Sequence, residues 1–241
     1  MLEWVRMDRF SAKAPAVWRL HIPDGALEGL KWIALASMLY DHVVRFLLMG
    51  PAPAPATAFG RIAFPLFAFT LAYNLSRPGL DGGIYRRLIM RLIGFGLLAL
   101  PATLYLVQVQ QLNILFTLAT AVALVWILEQ RPLWYSLPIA GILFAAAGTQ
   151  VEYGWPGLAL MLSFSYFIRR GVTLDSLAAL AAGFMALSVS NGSQWGLLSL
   201  PIILAASQVT LPLRRHKWFF YAFYPAHLAL IAWLAWQFVR I

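Results

Sequence analysis

Residues Leu30–Gly50 read LKWIALASMLYDHVVRFLLMG. The run is apolar and long enough to cross a membrane, which takes about 20 helical residues. Yet Asp41 and His42 sit near its middle, and Arg45 follows one helical turn later. Ionisable groups in hydrocarbon are costly unless they are paired or line a polar cavity, so they mark functional positions. An i,i+4 pair of Asp41 and Arg45 would neutralise both charges. Neighbouring helix positions point about 100° apart, so Asp41 does not share the direction of the His42 ring.

The whole chain extends this reading. Its 241 residues are 61% hydrophobic and 11% charged, with a mean hydropathy of +0.74. Soluble domains carry about 25% charge, so the composition argues against a soluble fold. Ten Trp and nine Tyr suit membrane–water interfaces. The absence of cysteine excludes disulfides, thiolate metal sites and a cysteine nucleophile. The expected architecture is all-α, a polytopic transmembrane helical bundle of about nine spanning helices, with a range of eight to ten. The apolar segments are 30–49, 58–76, 88–107, 112–128, 133–149, 155–170, 174–189, 195–210 and 218–238. Residues 1–29 read as a polar cytoplasmic segment without a removable targeting signal, and 30–241 as the helical domain. Pro101 and the glutamines after it suggest a broken or re-entrant helix over 101–114. No internal repeat is evident.

Basic residues fall in alternate connections. Arg77, Arg86, Arg87 and Arg91 surround the second, Arg131 lies in the fourth, Arg169 and Arg170 in the sixth, and Arg214, Arg215 and Lys217 in the eighth. With the N-terminal cations and Lys31, fifteen of eighteen lie on one side, the exceptions being Arg45, Arg61 and Arg240. The positive-inside rule makes that side cytoplasmic, with the N-terminus, and nine crossings leave the C-terminus outside. The net charge of +9 is thereby explained by orientation, and no nucleic-acid partner is expected. The inner cations suit lipid phosphates or a phosphate-rich ligand.

This topology gathers separated polar residues at the outer side: Asp41, His42, Arg61, Asn113, Glu152 and Tyr153, with Asn191 and Gln194 in the next outer loop. His42 beside Asp41 is a candidate for proton transfer. Asp41 would hold Arg45 or Arg61. His227, in the last helix after Tyr224-Pro225, is read as either a packing hydrogen bond or a functional contact.

LKWIALASMLYDHV, FGRIAFPLFAFTLAYN, QLNILFTLA, EYGWPGLALMLSF and KWFFYAFYPAHLALI, in this order and spacing, resemble the TraX family over most of residues 30–235. The family is distantly similar to the acyltransferase-3 membrane acyltransferases. The resemblance implies a bacterial inner-membrane protein that acetylates pilin, with acetyl-CoA as donor. It points to Asp41, His42, Arg61, Asn113, Tyr153, Gly154, Tyr224, Pro225 and His227. This chain carries Glu152-Tyr153-Gly154 where many relatives have Asp-Tyr-Gly, and TLPLRRHK replaces a Tyr-Asn-Gly-Lys-Arg-Gly-like loop.

The expected activity is acyl transfer to an amine or hydroxyl of pilin or an envelope glycan. His42 would be the general base, oriented through Asp41, and Arg61 or Asn113 would stabilise the oxyanion. Glu152 and Tyr153 complete the catalytic set. Arg86, Arg87, Arg91 and His227 would contact the acyl-CoA donor. The base sits in the outer half while the donor is cytoplasmic, so either the pantetheine arm threads a channel or an acyl-enzyme carries the group across. The same polar groups would suit a proton-coupled transporter, and a pilus or secretion assembly protein without chemistry is the third reading.

Overall fold

The computed structural model describes residues 18–48, 58–108, 111–130 and 132–239. The Pro-Ala run at 51–56, Arg131, Arg240 and the first seventeen residues lie outside them. The described chain is helical: α1 Asp24–Leu47, α2 Ala63–Leu75, α3 Gly82–Val107, α4 Ile114–Gln130 and α5 Leu133–Ala147. Then follow α6 Gly154–Arg170, α7 Leu174–Asn191, a 3-10 turn Trp195–Leu198 running into α8 Ser199–Ala206, and α9 Lys217–Leu234. A π-helical turn, Ala235–Val239, ends the described chain.

Several boundaries differ from the sequence expectation. The first helix begins at Asp24, not Leu30, because Pro23 holds an extended N-cap and nothing in DGALEG stops a helix. α3 opens at Gly82, where the Asp81 carboxylate accepts the Ile84 N–H at 2.8 Å. It then runs through Pro101 without a break and ends at Gln108, whose φ of 54° is left-handed. The expected break over 101–114 is therefore a helix end. A buried Thr103 hydroxyl donates to the Ala99 carbonyl at 3.0 Å in this stretch. α7 starts on a capping box of Thr173 and Ser176. The segment expected over 195–210 is helical only to Ala206, and residues 209–216 carry no regular secondary structure.

Ala58–Leu75, Gly82–Val107, Leu174–Asn191 and Lys217–Phe238 are long and apolar enough to cross a membrane. Others of the nine expected spans fall short for visible reasons. α1 carries Glu28, Lys31, Asp41 and Arg45, and Ile114–Glu129, Leu133–Ala147 and Trp195–Ala206 are short. α5 and α7 turn Trp134, Leu137, Ile142, Met185 and Val189 outward, an apolar surface suited to lipid.

One end of the bundle is basic. There Arg77 pairs with Asp24, and Arg169 pairs with Glu129 at 2.5 Å while donating to the Leu75 carbonyl at 2.6 Å. The Tyr85 hydroxyl donates to the other Glu129 oxygen at 2.6 Å. This clamp ties α2, α3, α4 and α6 together. At the opposite end, Leu112 bridges to Val151, with Leu112 N–H on the Gln150 carbonyl at 2.8 Å and Glu152 N–H on the Leu112 carbonyl at 2.9 Å.

Candidate active site

Two cavities meet inside the bundle. The smaller, about 30 Å³, is lined by Asp41, His42, Gly60, Glu152, Tyr153 and Tyr224 among others. It is large enough for a water molecule. Each wall has a local cause. Asp41 packs against Gly60, where any Cβ would collide with the carboxylate. Gly154, at φ 53°, turns the chain into α6 just after Glu152 and Tyr153. The Tyr153 ring then stacks on Phe64 with centroids 3.9 Å apart, and Gly157 leaves room for that stack.

His42 Nδ1 lies 2.9 Å from His227 Nε2, and His227 Nδ1 lies 2.9 Å from the Phe223 carbonyl. A carbonyl only accepts, so His227 Nδ1 carries the proton, and in the neutral ring its Nε2 is an acceptor. His42 Nδ1 must then donate to it. The His42 nitrogen left with a lone pair is Nε2. The two rings are nearly parallel, at 5°, and Phe46, Phe223 and Tyr224 surround them.

This arrangement corrects the sequence reading. His227 rather than Asp41 lies within hydrogen-bond reach of the His42 ring, and His227, expected to contact the donor, lines neither cavity. Asp41 forms no ion pair with Arg45 or Arg61 among the described residues; both guanidiniums act on it from a distance. Arg61 faces Asn191, Nη1 to Oδ1 at 3.5 Å, and lines neither cavity. Its buried Nε has no hydrogen-bond partner among the described residues. Asn113 is fully buried and spent on the backbone: its amide donates to the Gly96 carbonyl at 2.9 Å, and its oxygen accepts the Leu115 N–H at 3.2 Å. Asn113 therefore packs α4 on α3, and it lines neither cavity.

The larger cavity, about 460 Å³, opens at the basic end. Lys31, Arg77, Arg87, Arg91, Arg215 and Lys217 line it there, and Leu35, Leu71, Leu88, Leu92, Leu118 and Phe223 form apolar walls farther in. Of the three arginines expected to meet a donor, Arg87 and Arg91 line this cavity and exposed Arg86 does not. Met38, Phe67, Ile114 and Tyr224 line both cavities, so they form the partition between them. Eleven residues of α1 separate Lys31 from His42, about 16 Å of helix rise.

Buried Glu28 was not singled out by sequence. It pairs with Lys31, and its Oε1 accepts the His216 N–H at 2.9 Å. Gly25 and Gly29 lie under the irregular segment, where a Cβ at Gly25 would strike the Leu211 carbonyl. Residues 209–216 are thus strapped onto α1, which sets Arg215 and Lys217 at the cavity mouth. An acid in the first turns of an apolar helix was the available signal.

A basic-mouthed apolar cavity beside a histidine–carboxylate pocket, in a helical bundle with four helices long and apolar enough to cross a membrane, defines a class of helical protein with an internal site. The chain belongs to the TraX family: the family model described as TraX protein matches residues 26–235. It is 32% identical over 228 residues to Protein TraX of Escherichia coli, covering 88% of each chain. No solved structure matches.

Proposed function

We propose that this protein is a membrane acyltransferase that moves an acetyl group from acetyl-CoA to an amine or hydroxyl acceptor, such as pilin or an envelope glycan. The observation that carries this reading is the pair of abutting cavities. A basic mouth suits the phosphates of the donor, and an apolar bore suits its pantetheine arm. The far end of the bore ends at the partition of Met38, Phe67, Ile114 and Tyr224, with His42 on its other side, so a donor entering from the basic side would approach the base across that partition.

His42 Nε2 takes the acceptor's proton as the acceptor attacks the thioester carbon, and returns it to the leaving thiolate. His227 holds the His42 tautomer. Asp41 and Glu152 share the small cavity with His42 and offset the positive charge that develops on an attacking amine. They favour an amine over a hydroxyl. Arg87, Arg91, Arg215 and Lys217 hold donor phosphates.

The test is acetyl transfer by purified protein from radiolabelled acetyl-CoA to candidate pilin or to membrane extract, with His42→Ala as control. Label transfer that requires His42 supports the reading. Acetyl-CoA that neither binds nor is cleaved overturns it.

A further inference from the structure

Resting on the acyltransferase reading, we infer that Tyr224 is a catalytic residue, its phenol donating a hydrogen bond to the oxyanion formed from the donor's carbonyl. Four residues line both cavities: Met38, Phe67, Ile114 and Tyr224. A thioester arriving through the large cavity and an acceptor's amine or hydroxyl reaching into the small one, which has room for a group the size of a water molecule, meet at this partition. Tyr224 carries the one polar side chain among the four. It is buried, and its phenol oxygen is within hydrogen-bond reach of the Thr103 side chain and the Ile114 amide, so the hydroxyl is held in place at the partition.

The side chains first suited to this role are placed elsewhere. Asn113 has both polar groups on backbone partners, and Arg61 borders neither cavity. His227 sits three residues along α9 from Tyr224, with ring centroids 5.5 Å apart. One stretch of α9 therefore supplies both the group that fixes the His42 tautomer and the group that meets the carbonyl. The chemical division is spatial. Carboxylates of Asp41 and Glu152 stand on the acceptor's side, where positive charge grows. The phenol stands on the donor's side, where negative charge grows.

The step balances. The acceptor's lone pair forms a bond to the carbonyl carbon while the C=O π pair moves onto oxygen, which accepts the Tyr224 O–H hydrogen bond. His42 Nε2 takes the acceptor's proton. The oxyanion collapses, the C–S bond breaks, and the thiolate receives that proton from His42. Tyr224 keeps its own proton throughout.

Two measurements on the full-length protein in detergent test this. The first is the infrared carbonyl stretch of bound 13C-labelled acetyl-CoA, in wild type and in Tyr224→Phe. A hydrogen bond lowers the stretch in wild type, and Tyr224→Phe returns it to the free value while the donor's Kd stays within about threefold. The second is turnover. Tyr224→Phe is expected to lower kcat about 100-fold, in the range found for one oxyanion donor, with KM for acetyl-CoA little changed. Replacing Tyr224 with a fluorotyrosine, which keeps the shape and changes phenol acidity, is expected to change kcat and leave thermal stability alone. A bound carbonyl with the same stretch in wild type and Tyr224→Phe overturns the Tyr224 assignment alone. So does a kcat that ignores both substitutions. Failure of the wild type to bind acetyl-CoA at all overturns the acyltransferase reading and this inference with it.

Discussion

His42 and His227, 185 residues apart in sequence, face each other Nδ1 to Nε2 at 2.9 Å, and the second ring is anchored to the Phe223 carbonyl. The direction of every proton in this chain follows from the carbonyl at its end. His42 is thereby held in the one neutral tautomer whose free lone pair is on Nε2. Removing the anchor should cost less than removing the base. His42→Ala is expected to abolish acetyl transfer, and His227→Phe to reduce kcat about 10- to 100-fold, the usual cost of losing an orienting partner. Steady-state turnover with acetyl-CoA checks both. Equal loss in the two variants would remove the distinction between base and orienting partner.

The cavity mouth makes a sharper distinction among arginines. Arg87→Ala and Arg215→Ala are each expected to weaken acetyl-CoA binding about tenfold or more, since a charge-assisted hydrogen bond is worth about 1.5–3 kcal/mol. Arg86→Ala, outside the cavity, is expected to bind as wild type. Calorimetric titration of the three variants decides it, and uniform weakening would point to a diffuse electrostatic effect instead.

Glu28→Ala frees Lys31 and the His216 N–H together. The strap over α1 then loses its anchor, and Arg215 and Lys217 lose their fixed place. The expected result is a KM for acetyl-CoA raised about tenfold with kcat changed less than twofold. A change confined to kcat would show that the strap does not serve the donor.

The Tyr85–Glu129–Arg169 clamp holds the basic end. Arg169→Met strands the Glu129 carboxylate, and the expected cost is about 1–3 kcal/mol, below that of a fully buried pair because both side chains are partly exposed and Tyr85 still donates to the acid. Adding Glu129→Gln should restore much of the lost thermal stability, as measured by Tm in detergent. A double variant no better than the single would mean that the two residues act separately.

Asp24 lies at the basic end, outside the apolar spans, and the Arg77 guanidinium holds its carboxyl below the usual carboxylate range. A lowered carboxyl contributes stability above its unfolded value and loses it as pH falls through the folded one. Asp24 is largely exposed, so the contribution is under about 1 kcal/mol and is screened by salt. Asp24→Asn is expected to lower Tm slightly at pH 7 and to bring the two proteins together below about pH 4. A constant difference down to pH 3 would exclude the pair as its source.

The alternation of basic connections let the sequence place Asp41, His42, Glu152 and Tyr153 at one depth, and these four do line one cavity. Topology carries that much because it sorts residues by height along the helices. It says nothing of which way a side chain points. Asn113 sits at the right height and turns to the Gly96 carbonyl; Arg61 does so and turns to Asn191. The histidine pair was hidden for the same reason, since no local pattern joins the first helix to the last. The expected break at Pro101 failed on a different ground. A proline costs a helix one hydrogen bond, and α3 continues past it to a left-handed Gln108.

The clamp also bears on how the chain is made. Glu129 is synthesised forty residues before Arg169, and Leu75 ninety-four residues before it. Until α6 is complete, that half-buried carboxylate has the Tyr85 hydroxyl but not its cation. A nascent chain halted between α4 and α6 therefore carries an acid without its Arg169 partner. Arrival of the Arg169 side chain supplies that cation and ties α2, α3, α4 and α6 together at once.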